Sequence, residues 1–253
     1  MRNWYRIVIE MKILDKIRKK TISPSSFSPI TLAFLGDSVT HGCFELIDYG
    51  EGRVDCVYDQ ENVYHNLLRK KINTVFPNCP ATIINAGISG DTATGGAERV
   101  QRDIIAYQPD IAVVCYGLND VHQRDIEVYK KSLESIFVQL KNAGIETIFM
   151  TPNMMCTRDG MEQITVEWIV DTAKQCSELQ KENGLMDRYM DAAREVSKKE
   201  NVILCDCYSD WKKLHYNGAD VTCLLSNFIN HPTRKMHELF AERLFECIFL
   251  NQE

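Results

Sequence analysis

The chain has 253 residues, enough for one large domain that buries most of its apolar surface without disulfide or metal staples. Hydrophobic residues make up 45% and charged residues 25%, the balance of a soluble globular protein, and a formal net charge of -6 argues against nucleic acid as the main partner, because phosphate binding needs a basic face. No run is long and apolar enough to span a membrane, and Glu10 and Lys12 end the stretch Tyr5-Arg6-Ile7-Val8-Ile9 before it can serve as a signal-peptide core. The ten cysteines are scattered without a C-x-x-C, which fits a cytoplasmic chain whose thiols stay reduced.

Residues 1–29 read as an N-terminal appendage: a short strand (Tyr5 to Glu10), a basic helix (Ile13 to Lys20) and a loop at Ser23-Pro24-Ser25-Ser26. Residues 30–253 then alternate strand and helix signals. Ile30 to Leu35 is a short apolar run ended by Gly36. Glu61 to Phe76 carries helical periodicity and stops at Pro77. Ala81 to Ala86 is a second strand and Ala97 to Tyr107 a helix. Asp110 to Tyr116 is the strongest strand, followed by a helix over Asp125 to Ala143. Ile145 to Met150 is a fourth strand; residues 162–199 predict two helices broken near Gly184; Asn201 to Cys205 is a fifth strand; and Thr233 to Leu250 is a final amphipathic helix. Five apolar strands separated by helices imply a parallel sheet covered on both faces, with the ligand site outside the carboxyl ends of the strands.

Four loops that follow this pattern carry chemistry-bearing residues. Gly36-Asp37-Ser38-Val39-Thr40-His41-Gly42 follows the first strand and presents a serine at a strand-to-helix turn, although Asp and Ser also favour such a place as local caps. Asn85-Ala86-Gly87-Ile88-Ser89-Gly90-Asp91-Thr92 follows the second strand; Gly90 can bring a backbone N–H close to a ligand, and the absence of a G-x-G-x-x-G or a following lysine speaks against a phosphate cradle. Gly117-Leu118-Asn119-Asp120 follows the third strand and offers the Asn119 amide, or an ordinary turn. Asn227-Phe228-Ile229-Asn230-His231-Pro232 precedes the last helix, with Pro232 stiffening the chain beyond His231.

Together, in this order, these blocks resemble the SGNH (GDSL-type) hydrolases over roughly residues 30 to 250, with Ser38, Gly90, Asn119 and His231 in the four named positions. The resemblance implies a flavodoxin-like three-layer α/β/α sandwich with a five-stranded parallel sheet. It also implies an esterase, lipase or carbohydrate deacetylase that needs no metal or other cofactor and takes a small-molecule ester as its partner. Ser38 would be the nucleophile and His231 its base. Backbone N–H groups of Ser38 and Gly90 and the Asn119 amide would form the oxyanion hole, and Asp37 and Asp120 would brace the loops. The lack of a long apolar lid segment disfavours large lipids, and the resemblance, for a cytoplasmic member of this size, implies small acyl groups such as acetyl esters on sugars.

The sequence departs from the family three residues before the histidine, where an orienting Asp is usual and Phe228 stands. Three replacements are open: the Phe228 backbone carbonyl, the side-chain oxygens of Asn227 or Asn230, or an acid from elsewhere, Asp220 being nearest in sequence. The departure keeps alive a rival, a catalytically degenerate binding module of the same fold. His41 and His122 are candidates to line the pocket; His65, His215 and His237 read as surface or packing residues; the six histidines include no H-x-x-x-H pair for a metal. The acidic segment Glu45 to Gln60 reads as a solvated loop, or as a rim to the pocket. Oligomeric state is not encoded legibly.

Overall fold

A computed structural model describes residues 11–51, 53–158, 166–181 and 184–250. The strand expected at Tyr5 to Glu10 lies outside them. The architecture is a parallel sheet of five strands, β1 (Ile30–Gly36), β4 (Ala81–Gly87), β5 (Ile111–Cys115), β6 (Glu146–Met150) and β7 (Ile203–Cys205), in the order β4-β1-β5-β6-β7. The chain moves outward from β1 to β4 and then returns past β1 to β5, so the order reverses between β1 and β5. Right-handed crossovers in opposite directions put their helices on opposite faces, which makes the three layers and opens a crevice at the switch point. On one face α3 (Tyr64–Val75) packs on α10 (Arg234–Phe249); on the other α4 (Ala93–Asp103), α6 (Ile126–Asn142) and α8 (Leu185–Glu200) lie in a row. All five residues of β5 are buried, as a central strand covered on both faces requires.

Helix α7 (Glu167–Gln180) and α8 are separate, with Gly184 at the start of α8, and α9 (Cys207–Tyr216) follows β7 directly. Helix α1 (Lys12–Ile22) lies at the amino-terminal end of the sheet: Ile13 and Ile17 are buried, Glu146 takes the N–H groups of Lys12 and Ile13 at 2.8 and 3.2 Å, and Lys16 pairs with Asp110 at 2.8 Å. The acidic segment after the first motif is an antiparallel hairpin, β2 (Cys43–Asp48) and β3 (Val54–Tyr58), with a register irregularity between Cys43 and Leu46. That hairpin supplies a part of the site that the sequence did not reveal. No helix of the described residues is long and apolar enough to cross a membrane.

Candidate active site

Ser38 opens α2 (Ser38–His41), a single turn directly after β1. Asp37 caps it, its Oδ1 accepting the Val39 N–H at 3.0 Å, and the Gly42 N–H closes the turn on the Ser38 carbonyl at 3.0 Å. The first N–H groups of a helix have no partner within it, and among the described residues the Ser38 N–H meets no backbone acceptor.

The loop that carries His231 is built by Asn227. Its buried Oδ1 accepts the N–H groups of Ile229, Asn230 and His231 at 3.0, 3.0 and 2.9 Å, turning the chain sharply. Phe228 sits inside this turn with φ +59, a left-handed conformation that Asn or Asp adopts more readily than an aromatic residue. Asn153, after β6, ties the loop down by donating to the Asn230 carbonyl at 2.8 Å.

The imidazole of His231 joins two elements far apart in sequence. Its Nε2 is 3.0 Å from Ser38 Oγ, and its Nδ1 is 3.1 Å from the backbone carbonyl of Phe44 in β2. A carbonyl only accepts, so Nδ1 holds the proton and Nε2 turns a lone pair to the serine hydroxyl. None of the three expected replacements for the family's Asp is the partner of Nδ1. Asn227 is occupied with backbone N–H groups, Asp220 pairs with Arg158 at 2.7 Å, and the carbonyl used belongs to Phe44 rather than Phe228. Burial pushes the His231 pKa down to about 4, the bond to Phe44 opposing the shift, so the ring is neutral near pH 7.

The second and third motifs meet at Asp91. Gly90 has φ +80, a conformation glycine adopts freely, and among the described residues its N–H has no backbone acceptor. Its turn is pinned by the Ile88 N–H on the Gly36 carbonyl at 3.0 Å and the Asp91 N–H on the Ile88 carbonyl at 3.1 Å. The Asn119 amide donates to the Asp91 carbonyl at 2.9 Å, which joins the third motif to the second. Asp120 Oδ1 accepts the Ala93 N–H at 2.8 Å, and burial raises the pKa values of Asp37 and Asp120 to about 7. Both acids hold backbone N–H groups, those of Val39 and Ala93.

The remaining histidines divide. His41 Nδ1 lies 3.1 Å from Ser89 Oγ, next to Gly90, while His122 Nε2 lies 3.7 Å from Cys176 Sγ on α7. His65 and His237 are buried packing residues; His237 Nδ1 accepts the Tyr64 N–H at 3.1 Å. Among the described residues no group of three or more His, Cys, Asp or Glu side chains is arranged to hold a metal. A cavity of about 670 Å³, lined by Lys12, Glu146 and Ile203 along the β7 edge of the sheet, includes none of these residues.

Fold and site define an α/β protein with a serine hydroxyl and a neutral histidine paired at the carboxyl rim of a parallel sheet. Residues 34–239 match the GDSL-like lipase/acylhydrolase family; the chain belongs to it and is a carboxylic ester hydrolase. An acetylxylan esterase of Geobacillus stearothermophilus is 28% identical over 186 residues, 69% of this chain and 74% of that protein. The solved structure of an acetylxylan esterase from that organism superimposes with a TM-score of 0.64 at 21% identity, covering 89% of this chain and 96% of the other. An alpha/beta hydrolase from the metagenome of Lake Arreo, Spain, gives 0.64 at 22% identity, covering 88% and 96%. At such identities the structures speak to the fold.

Proposed function

We propose that the protein is a serine esterase that removes small acyl groups, acetyl foremost, from hydroxyls of a carbohydrate, with Ser38 as nucleophile and His231 as general base. Ser38 Oγ attacks the ester carbonyl as its proton passes to Nε2. The backbone N–H groups of Ser38 and Gly90 and the Asn119 amide receive the developing oxyanion; Asn119 exchanges its bond to the Asp91 carbonyl for this one. Collapse breaks the ester C–O bond, His231 protonates the departing alkoxide, and a water deprotonated by the same nitrogen releases the acid and restores Ser38.

The single observation that carries this reading is the ring of His231 held between the Phe44 carbonyl and the Ser38 hydroxyl, at 3.1 and 3.0 Å. It gives the tautomer that catalysis requires without a carboxylate, and so answers the objection raised by Phe228. The acetyl-carbohydrate preference rests on the likeness to an acetylxylan esterase over 69% of the chain. The ten free cysteines suit work in the reducing cytoplasm.

The test is hydrolysis of p-nitrophenyl acetate against longer-chain esters and acetylated xylo-oligosaccharides, comparing wild type with Ser38→Ala. The acetate ester and the acetylated saccharide should turn over fastest, and Ser38→Ala should lose at least about 10³-fold in kcat. Equal rates in the two proteins would remove Ser38 as nucleophile, and a preference for long acyl chains would remove the deacetylase assignment.

A further inference from the structure

Three of the motif loops leave different strands, and one side chain reaches all three. Arg99 on α4 is buried, 8% exposed. Its Nη1 donates to the Ala86 carbonyl at 2.7 Å, and its Nη2 donates to the Gly36 carbonyl at 3.1 Å and to the Tyr116 hydroxyl at 2.8 Å. Its Nε donates to Asp91 Oδ2 at 2.8 Å, and the Tyr116 hydroxyl donates to the same oxygen at 2.9 Å. Gly36 lies just before Ser38, Asp91 just after Gly90, and Tyr116 just before Asn119.

We propose that Arg99 is a positioning residue of the reaction, fixing the three donors of the oxyanion hole relative to one another. The proposal rests on the assignment of Ser38, Gly90 and Asn119 made above. Asp91 is the pivot. Its carboxylate is held by Arg99 and Tyr116, its carbonyl by Asn119 and its N–H by Ile88, so the Gly90 peptide beside it has little freedom. Helix α4 comes close enough for this because Gly95 and Gly96 carry no side chain: a Cβ at Gly95 would collide with the Asp91 carboxylate, and one at Gly96 with the Tyr116 ring. A guanidinium is suited to the task, since its five donors lie in a rigid plane and can serve two diverging carbonyls and a carboxylate at once, whereas an ammonium cannot. Transition-state donors must be held to about 0.5 Å, and a misplacement of about 1 Å costs on the order of 10²-fold in rate.

The experiment compares wild type, Arg99→Lys and Tyr116→Phe. Each is labelled to end point with a fluorophosphonate, which counts the molecules whose Ser38 reacts, and kcat and KM for p-nitrophenyl acetate are expressed per labelled site. The same set is titrated with a phenylboronic acid, which forms a tetrahedral adduct on a serine hydroxyl. For Arg99→Lys we expect kcat per labelled site to fall about 10²-fold, with KM within about threefold and boronate affinity lost in parallel. Tyr116→Phe, which removes one hydroxyl and keeps the packing, should show the same pattern at about fivefold and carries the test if Arg99→Lys does not fold. Losses confined to melting temperature or to the labelled fraction, with kcat per labelled site at the wild-type value, would overturn the proposal and leave Arg99 a stabilising residue. A wild-type protein that takes no label would remove the nucleophile assignment and this proposal with it.

Discussion

His231 accepts a proton only when neutral, and its surroundings keep it neutral over an unusually wide range. Burial in an apolar setting penalises the imidazolium, and the Phe44 carbonyl, a dipole rather than a charge, offsets only part of that penalty. With the pKa at about 4, the base form persists above that pH and is lost below it. The acid limb of kcat/KM that belongs to His231 should therefore inflect near pH 4 and fall tenfold per unit below it, separate from any change that accompanies protonation of Asp37 and Asp120 near pH 7. A pH–rate profile with p-nitrophenyl acetate measures this; a profile with no inflection near pH 4 would mean that the ring is not held neutral by burial. The same low basicity makes His231 a weaker proton acceptor in the transition state, so the enzyme should turn over more slowly than a homologue whose histidine faces a carboxylate. The sequence displayed the gap at Phe228 but not what fills it. A backbone carbonyl has no residue identity, and a contact across 187 positions leaves no local pattern.

The hairpin β2–β3 shows the same limit at the level of elements. Its five acids, Glu45, Asp48, Glu51, Asp55 and Asp59, suggested a solvated loop, yet Gly50 and Gly52 between two runs bearing Phe, Ile, Val and Tyr are a hairpin signal that charge obscured. It places the Phe44 carbonyl 3.1 Å from His231 Nδ1, and Arg234 at the start of α10 anchors it. That guanidinium lies 4.4 Å from the Phe44 ring centroid, bonds Asp59 at 2.7 Å and pairs with Glu45. Magnitudes separate two readings of this cluster. The Arg234 side chain is 38% exposed, so its ion pairs are screened and together contribute no more than about 1 kcal/mol to stability. Its effect on the placement of the Phe44 carbonyl is not limited in that way. Arg234→Ala should lower the denaturation free energy by less than about 1 kcal/mol while cutting kcat about tenfold as the ring of His231 loses its fixed orientation. Urea denaturation and kcat measured on the same preparation check this, and a kcat at the wild-type value would show that the hairpin is held without Arg234.

On the scale of the whole molecule, the five strands of the parallel sheet were legible because each is a short apolar run between breakers, and the order of motifs after strands put the proposed site at their carboxyl ends. The helix expected after Ser38 is α2, a single turn, whereas α9 escaped notice because it mixes Trp211 and Tyr208 with charged residues directly after β7. What periodicity could not show is how the two ends of the sheet divide their labour. Ser38, Gly90 and Asn119 all follow the carboxyl ends of strands, whereas α1 bonds Asp110 ahead of β5 and Glu146 at the start of β6. Glu146 satisfies two of the free N–H groups at the start of α1 and places a negative charge where the helix dipole favours one. Ile17 is 3% exposed, so Ile17→Ala removes buried methyl groups and leaves a void, at a cost of about 2–4 kcal/mol. The strands between that void and the rim are close-packed and rigid, and the hydrogen bonds that hold Ser38, His231 and Gly90 come from other loops. The urea midpoint should therefore drop clearly while kcat of the folded variant stays within about twofold of wild type. A parallel loss of kcat, measured well below the midpoint, would show that α1 governs the spacing of the strand ends on the far side of the sheet.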